Sequence, residues 1–257
     1  IVPMVCLGQT ATYFNDGMLI IEIPTKIDII NGYPNADDIN SEAIGYYNKG
    51  TEILMKPERE SIKNAINYFI NAINVDYKFI QAYDNLGKAY RMIEKYDDAI
   101  KTYELSLKIF PSGISAHQNL AVVYEKQKSW DKAIYEYKIL INLDPLNPEG
   151  YYGLANVYKK TSRLNLALSN ALKELELYKQ SPTNYIGDAY GQIGLIYYDL
   201  GNKQKAKTYI DIAKEKHIAN NLEDYFYDTF PKSLINELSI KWKSYFYYWQ
   251  FQWFLLG

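Results

Sequence analysis

The sequence predicts an all-α protein: a solenoid of about five stacked helical hairpins, followed by capping helices at its C-terminal end. Three observations predict this class. A small residue recurs at Gly87, Ala121 and Ala155, with the same step each time. Around each of them, apolar residues recur three and four positions apart, which is the spacing of one face of an α-helix. A hairpin with such faces leaves an apolar flank uncovered, so it has to stack on further copies of itself.

The second hairpin shows the pattern most clearly. Tyr83, Leu86 and Tyr90 are spaced three and four apart, so they share one face of a first helix. Ala99 and Tyr103 are four apart and share a face of a second helix. The two faces need each other as cover, which predicts that the two helices pack together as an antiparallel pair.

Small residues and a proline set the geometry of this hairpin. Gly87 and Ala99 carry little or no side chain, so the two helix backbones can approach closely at these positions. Pro111 cannot continue a helix and marks where the hairpin ends.

In order, residues 82–111 contain an aromatic residue, Leu-Gly, Tyr, Ala, an aromatic residue and Pro. In these positions the sequence resembles the tetratricopeptide repeat (TPR) family, whose period of about 34 residues equals the step between the small residues. The resemblance extends over the array 41–218. It implies a right-handed superhelical solenoid with repeats at about 41–78, 79–112, 113–146, 147–185 and 186–218.

The other repeats fill the same slots with matching residues. Repeat four is the loosest, because Ala171 stands where an aromatic residue is expected. The step from Ala155 to Gly194 is longer than the period, since extra residues fall around 180–184. The matching slots are Tyr46, Gly50, Ala65, Phe69 and Ala72; His117, Leu120, Ala121, Tyr124, Ala133, Tyr137 and Pro145; Tyr151, Leu154, Ala155, Tyr158 and Ala167; and Tyr190, Ile193, Gly194, Tyr197, Ala206, Ile210 and Ala213.

The segments before the array have different compositions. In residues 1–8, small residues at Cys6 and Gly8 follow an apolar run, which favours the end of a bacterial secretory signal. A lipid-anchor site at Cys6 is the competing interpretation, but Val5 is bulkier than such a site requires. An apolar strand of a truncated chain is the third. Residues 9–40 contain short β-branched runs and turn residues, and we interpret them as a partly ordered tether or an extended N-terminal cap.

Residues 219–243 predict capping helices, with Leu234, Leu238 and Trp242 forming an apolar stripe. The tail 244–257 is strongly aromatic but shorter than the roughly 20 residues that span a bilayer. It is the start of a truncated transmembrane helix, an interfacial anchor or aberrant sequence at a fragment end. The first two alternatives would associate the protein with a membrane.

Composition and motifs argue against several function classes. The net charge of −2 gives no basic excess to attract nucleic acid. A single Cys excludes a multi-cysteine zinc site. The two histidines are far apart, and His117 fills a packing slot, while His217 falls at the end of a helix beside two lysines. No phosphate-binding loop or nucleophile motif is present, so we expect no enzyme activity, no metal and no cofactor.

The TPR resemblance implies a binding surface. In that family the first helices of successive repeats line a concave groove, and the polar positions between packing slots face into it. Asn85 and Asn119 lie one repeat apart and could hydrogen-bond the backbone of an extended peptide, or could instead cap or bridge neighbouring repeats. The predicted groove residues are Tyr47, Gln81, Asp84, Asn85, Lys88, Arg91, Gln118, Asn119, Tyr152, Asn156 and Lys159, with Thr51, Glu125, Leu195 and Tyr198 beside them.

A subset of the family grips a C-terminal carboxylate with Lys, Asn and Arg at set groove positions. Here Ser115 and Asn119, or Glu149 and Gly153, occupy positions where that subset has basic residues. The departure argues against carboxylate clamping, although Lys88 still leaves part of the groove basic for an acidic segment.

The predicted function is that of a non-catalytic interaction scaffold or adaptor, which binds a peptide or helix of a partner protein in its groove. One alternative is the extracytoplasmic sensor region of a larger membrane signalling protein. The other is a repeat region attached to an enzyme outside this sequence. We expect an exported, periplasmic bacterial protein, with a cytoplasmic location as the alternative.

Overall fold

The structure is a computed structural model of the chain, and it describes residues 10–15, 18–24, 38–55, 58–180, 185–220, 230 and 232–238. The chain divides into two compact units, residues 1–157 and 158–257. The predicted segments 1–8 and 244–257 and residue Trp242 lie outside the described residues.

The predicted all-α class of successive helical hairpins is confirmed. In the first unit, consecutive helices pack in pairs, and the second helix of each pair also packs on the first helix of the next pair. These helices are α1 (Ser41–Leu54), α2 (Arg59–Val75), α3 (Ile80–Met92), α4 (Tyr96–Ile109), α5 (Ile114–Lys126) and α6 (Trp130–Leu143).

Helix α7 (Pro148–Lys160) begins in the first unit and ends in the second. Within its described residues, the second unit continues with three longer helices and one short one. These are α8 (Leu164–Gln180), α9 (Ile186–Asp199), α10 (Lys203–Ala219) and α11 (Lys232–Glu237). Helix α9 packs extensively on α10 and also on α8.

Part of the segment before the helices forms two strands. Strand β1 (Thr10–Asn15) pairs antiparallel with β2 (Met18–Pro24), and Thr10 lies opposite Pro24. The pairing is irregular between Tyr13 and Phe14. Strand β2 approaches α2, so this small sheet lies against the second helix of the first hairpin.

The slots that define the repeats form the core of the first unit. Tyr83, Leu86, Ala99 and Tyr103 are completely inaccessible to solvent. Gly87 is buried beneath Tyr103, as expected of a position where the two helices approach closely. The predicted packing faces of repeat two are therefore its actual packing faces.

In the second unit, α11 supplies the apolar cover for the last repeat. Phe230, Leu234, Ile235 and Leu238 are buried in one cluster with small and apolar residues of α10. The α10 members of this cluster are Ala206, Ile210 and Ala213.

A left-handed residue ends the first helix of four repeats. Glu94, Lys128, Ser162 and Gly201 have φ angles of 65°, 58°, 57° and 77°. In each case the amide of the next residue donates back to a carbonyl of the first helix, as in a Schellman motif. The accepting carbonyls belong to tyrosines in equivalent slots, namely Tyr90, Tyr124, Tyr158 and Tyr197. The sequence separations between these four turns equal those between the small residues of the first helices, Gly87, Ala121, Ala155 and Gly194.

Candidate interaction surface

The first helices of the first unit lie next to each other. Helix α3 contacts both α1 and α5. The predicted groove residues on these three helices, together with Thr51, form what we call the first-helix surface. Its members are Tyr47, Thr51, Gln81, Asp84, Asn85, Lys88, Arg91, Gln118 and Asn119.

Asn85 joins two neighbouring repeats. Its Nδ2 donates to Tyr47 Oη over 3.1 Å and approaches Thr51 Oγ1 at 3.4 Å, both on α1. The Tyr47 ring is itself held by Phe79, with ring centroids 4.8 Å apart. The Asn85 amide therefore fixes the position of α3 against α1, which is the bridging role that the sequence left open as an alternative.

Asn119, the predicted equivalent of Asn85, makes a different bond. Its Nδ2 donates to the carbonyl of Ser115, one turn earlier on its own helix, over 2.9 Å. The two amides are thus equivalent in sequence and different in structure. Their binding of a peptide backbone stays a prediction, and their internal hydrogen bonds differ between the two repeats.

Asp84 lies between the two helices of repeat two. Its Oδ1 accepts a hydrogen bond from Ser106 Oγ on α4, with the two atoms 3.4 Å apart. Burial raises the pKa of the Asp84 carboxyl to about 7, although the bond to Ser106 opposes the change. This carboxyl is therefore partly protonated near neutral pH, and it contributes less than a full negative charge to the surface.

Lys88 and Arg91 bring positive charge to the surface, with different exposure. Lys88 is exposed, whereas Arg91 is half-buried and lies beside the Tyr103 hydroxyl. Burial raises the pKa of that hydroxyl, and the Arg91 charge opposes the rise. Gln81 is half-buried, and its Oε1 is buried without a hydrogen-bond partner in the described part of the chain.

The remaining predicted residues are spread over both units. Gln118 donates from Nε2 to Glu149 Oε2 over 3.3 Å. On α7, Tyr152 is 40% exposed and Asn156 is half-buried. Lys159 lies in the second unit, where its Nζ is 3.3 Å from Asp199 Oδ2. The structure therefore brings together the residues of α1, α3 and α5 and gives Lys159 a partner of its own.

Both histidines are buried and have structural surroundings. The ring of His117 is held at both nitrogens, with Nδ1 2.7 Å from Glu136 Oε2 and Nε2 3.0 Å from the Pro111 carbonyl. Burial by itself lowers the pKa of His117. The hydrogen bonds to Glu136 and Pro111, together with the charge of Glu136, outweigh this and raise the pKa. The packing role of His117 follows from its slot in the repeat. The contribution of Glu136 does not follow from the sequence pattern, because Glu136 lies on a different helix, α6.

His217 is completely buried in the last turn of α10, and its Nε2 lies 3.4 Å from Asp188 Oδ1. Burial lowers the pKa of His217, and the Asp188 charge opposes this only in part. Within the described ranges, no three metal-binding side chains come together, and no helix is long and apolar enough to cross a membrane.

Comparison with protein families agrees with these repeats. A TPR repeat model matches residues 126–162, and a tetratricopeptide repeat model matches residues 80–112 and 187–212. Stacked helical hairpins with small residues at the close contacts define a helical-repeat protein. Residues 80–112, 126–162 and 187–212 of this chain are tetratricopeptide repeats.

Solved structures with the same fold include the following three. MamA residues 41–end from Desulfovibrio magneticus RS-1 align with a TM-score of 0.60 and 17% identity, over 70% of this chain and 98% of that one. TTC0263, a TPR protein from Thermus thermophilus, aligns with a TM-score of 0.56 and 14% identity, over 72% of this chain and 97% of that one. YrrB is described as a TPR protein with an unusual peptide-binding site. It aligns with a TM-score of 0.51 and 21% identity, over 71% of this chain and 90% of that one. No curated protein matches the sequence significantly.

Proposed function

We propose that this protein is a non-catalytic scaffold that binds an extended segment of a partner protein on the first-helix surface. The observation that carries the proposal is the run of adjacent first helices α1, α3 and α5. They present half-exposed polar side chains around the exposed ammonium group of Lys88. TPR proteins generally act by binding proteins or peptides, and the structural neighbour YrrB is described as having a peptide-binding site.

Hydrogen bonds within the first-helix surface distinguish the residues that support its shape from the residues that would contact a partner. Asn85 and Tyr47 hold α1 and α3 in register, so they give the surface a fixed shape before a ligand arrives. Lys88 is the exposed cation at its centre, and Gln81 and Arg91 lie on the same helix. A partner segment with acidic side chains would complement the positive charges of Lys88 and Arg91.

The charge of Asp84 also affects how well the first-helix surface complements an acidic partner segment. Because its pKa is about 7, the surface loses a negative charge as the pH falls through neutrality. An acidic partner segment would then bind more tightly at pH 6 than at pH 8.

Export into the periplasm remains a prediction from Cys6 and Gly8, which lie outside the described residues.

The test is selection of short displayed peptides against the full chain, followed by measurement of Kd with the selected peptide. We compare Lys88→Glu with Lys101→Glu, which makes the same charge change at an exposed position on the second helix of the same hairpin. Lys88→Glu should weaken binding about tenfold or more, as expected for loss of a charge-assisted hydrogen bond. Lys101→Glu should leave Kd within about twofold of wild type.

Asn85→Ala provides a second comparison. If Asn85 is a supporting residue, the variant should lower thermal stability as well as affinity, whereas Lys88→Glu should change affinity alone. Equal weakening by Lys88→Glu and Lys101→Glu would exclude the first-helix surface as the binding site. Failure to select any peptide would argue against peptide binding itself.

A further inference from the structure

A cavity of about 420 Å³ lies between the helices of the first hairpin, away from the residues of the first-helix surface. Most of its lining comes from α2, the second helix, and the rest from the end of α1. A volume of this size falls within the range of small-ligand sites, roughly 300–1,000 Å³. The lining residues are Ile53, Asn64, Asn67, Tyr68 and Asn71.

Among the described residues, the lining combines amides with apolar surface and contains no charged side chain. Asn64, Asn67 and Asn71 are three and four residues apart, so their carboxamides follow one face of α2. Tyr68 and Ile53 are both half-buried and border the amides. The Tyr68 ring is positioned by Tyr46, with ring centroids 6.5 Å apart and a 38° angle between the rings.

The three asparagines are exposed, and their carboxamides differ from those that serve the fold. Within the described residues, no hydrogen bond involves the side chains of Asn64, Asn67 or Asn71. By contrast, the side chains of six other asparagines are used in caps, turns and bridges between repeats. Those six are Asn40, Asn85, Asn119, Asn147, Asn170 and Asn202. Each carboxamide in the cavity therefore keeps two donor hydrogens and an acceptor oxygen for a ligand.

We propose that this cavity binds a neutral saccharide. Sugar hydroxyls both donate and accept hydrogen bonds, so they match a row of carboxamides without bringing charge into a site that offers none. The apolar face of a sugar ring has its complement in the Tyr68 ring and the Ile53 side chain. An anionic or cationic ligand would find no counter-ion among the lining residues that the structure describes.

The saccharide site is independent of the proposed peptide surface. The saccharide would contact α2 and the end of α1, whereas the peptide would contact α3 and its neighbouring first helices. Loss of either activity by mutation should leave the other unchanged, so the two proposals can fail separately.

The experiment is an NMR titration of the full, ¹⁵N-labelled chain with maltose, cellobiose and N,N′-diacetylchitobiose, each used as a separate probe. We expect at least one disaccharide to shift the side-chain amide signals of Asn64, Asn67 and Asn71 in a saturable manner. Asn67→Ala should then weaken binding about 2- to 12-fold, the loss expected from one net hydrogen bond. Alanine is well tolerated at an exposed helical position, so this variant should fold normally.

Asn74→Ala is the matched control. Asn74 is exposed on α2, three residues beyond Asn71, and does not line the cavity. This variant should bind the disaccharide as wild type does. The proposal is wrong if no probe shifts these signals up to about 50 mM, or if Asn74→Ala weakens binding as much as Asn67→Ala. It is also wrong if only an uncharged peptide, titrated in the same way, shifts the three side-chain signals.

Discussion

The ring of Tyr103 lies against the backbone of Gly87, so close that a Cβ atom at residue 87 would stand 2.5 Å from the Cε1 atom of the ring. The same arrangement occurs in repeat one, where a Cβ at Gly50 would stand 2.8 Å from the Phe69 ring. Two helices of one hairpin can approach this closely only because the facing position has no side chain. The aromatic residue and the small residue of the repeat therefore act as one packing unit.

Gly87→Ala should lower the free energy of unfolding by about 1–3 kcal/mol, because the added methyl group overpacks the contact with Tyr103. Urea denaturation followed by circular dichroism measures this change. Gly45→Ala is the control, since a Cβ there meets nothing within 4 Å and the residue lies inside α1. That control should be stabilising by about 0.5–1 kcal/mol. A stabilising Gly87→Ala would contradict the close approach.

Tyr103 should stabilise the folded state through its ring and not through its hydroxyl group. The ring is fully buried, and no hydrogen bond of its hydroxyl appears among the described residues. Tyr103→Phe should therefore change the free energy of unfolding by less than about 1 kcal/mol, whereas Tyr103→Ala should cost about 3–5 kcal/mol. Thermal and urea denaturation of both variants provide the comparison. A Phe variant as unstable as the Ala variant would show that the neighbouring Arg91 depends on the hydroxyl.

The left-handed turn residue of repeat three should be replaceable by glycine with a gain in stability. Lys128 has a φ of 58°, a conformation that costs a residue with a side chain about 1–2 kcal/mol. Lys128→Gly removes this strain at some cost in unfolded-state entropy, for a net gain of about 0.5–1 kcal/mol. Lys126→Gly, two residues earlier in the last turn of α5, should instead cost about 1 kcal/mol. If Lys126→Gly melted at a higher temperature than Lys128→Gly, backbone strain at Lys128 would be excluded.

The His117–Glu136 pair should make stability depend on pH. The pKa of His117 is raised in the folded state, so its stabilising contribution is complete below the unfolded pKa of about 6.5 and is lost as the pH rises through the folded value. We expect wild type to lose stability relative to His117→Phe, Glu136→Leu between pH 6 and 9. Denaturation curves of both proteins across this range measure the difference, and His217 contributes equally to both. A difference that is constant with pH would show that His117 keeps the same charge in both states.

Asp84 should destabilise the fold once it is ionised. Its pKa rises from 3.8 to about 7 on folding, so the folded state binds the proton more tightly than the unfolded state does. Stability should therefore fall as the pH rises from about 4 to 7 and then level off. Asp84→Asn removes this loss and should be more stable than wild type at pH 8 by roughly 1–3 kcal/mol, reduced from the full shift for partial solvation. A variant less stable than wild type at pH 8 would show that the Ser106 bond requires the ionised carboxyl.

The sequence predicted the packing of the repeats from local information. Apolar spacing placed Tyr83, Leu86 and Tyr103 on their correct faces, because the side chains that a helix buries follow from its helical period. The roles of polar side chains were harder to predict. Asn85 and Asn119 look identical in the register of the repeat, yet one bonds to Tyr47 on another helix and the other bonds to Ser115 on its own. The choice between the two depends on side-chain positions in neighbouring repeats, which the period does not encode.

Other features required distances between residues far apart in the chain. The partner of His117 is Glu136 on a different helix, and Glu136 occupies no slot of the repeat. The carboxamides of Asn64, Asn67 and Asn71 were visible as a row with helical spacing. Nothing in that row showed that they border a cavity or that their hydrogen-bonding groups are unused. For these residues, only tertiary structure supplies the neighbours.

By itself, the sequence determined that this protein is an array of helical hairpins and where the small and aromatic residues of repeat two pack. Helical periodicity and the steric need for Gly or Ala at a close contact are local properties, and they recur with every repeat. Tertiary structure alone decided which polar groups are used in hydrogen bonds within the protein. It also raised the pKa of Asp84 and His117 and lowered that of His217. These properties depend on burial and on the distance to groups on other helices, and neither can be read from spacing along the chain.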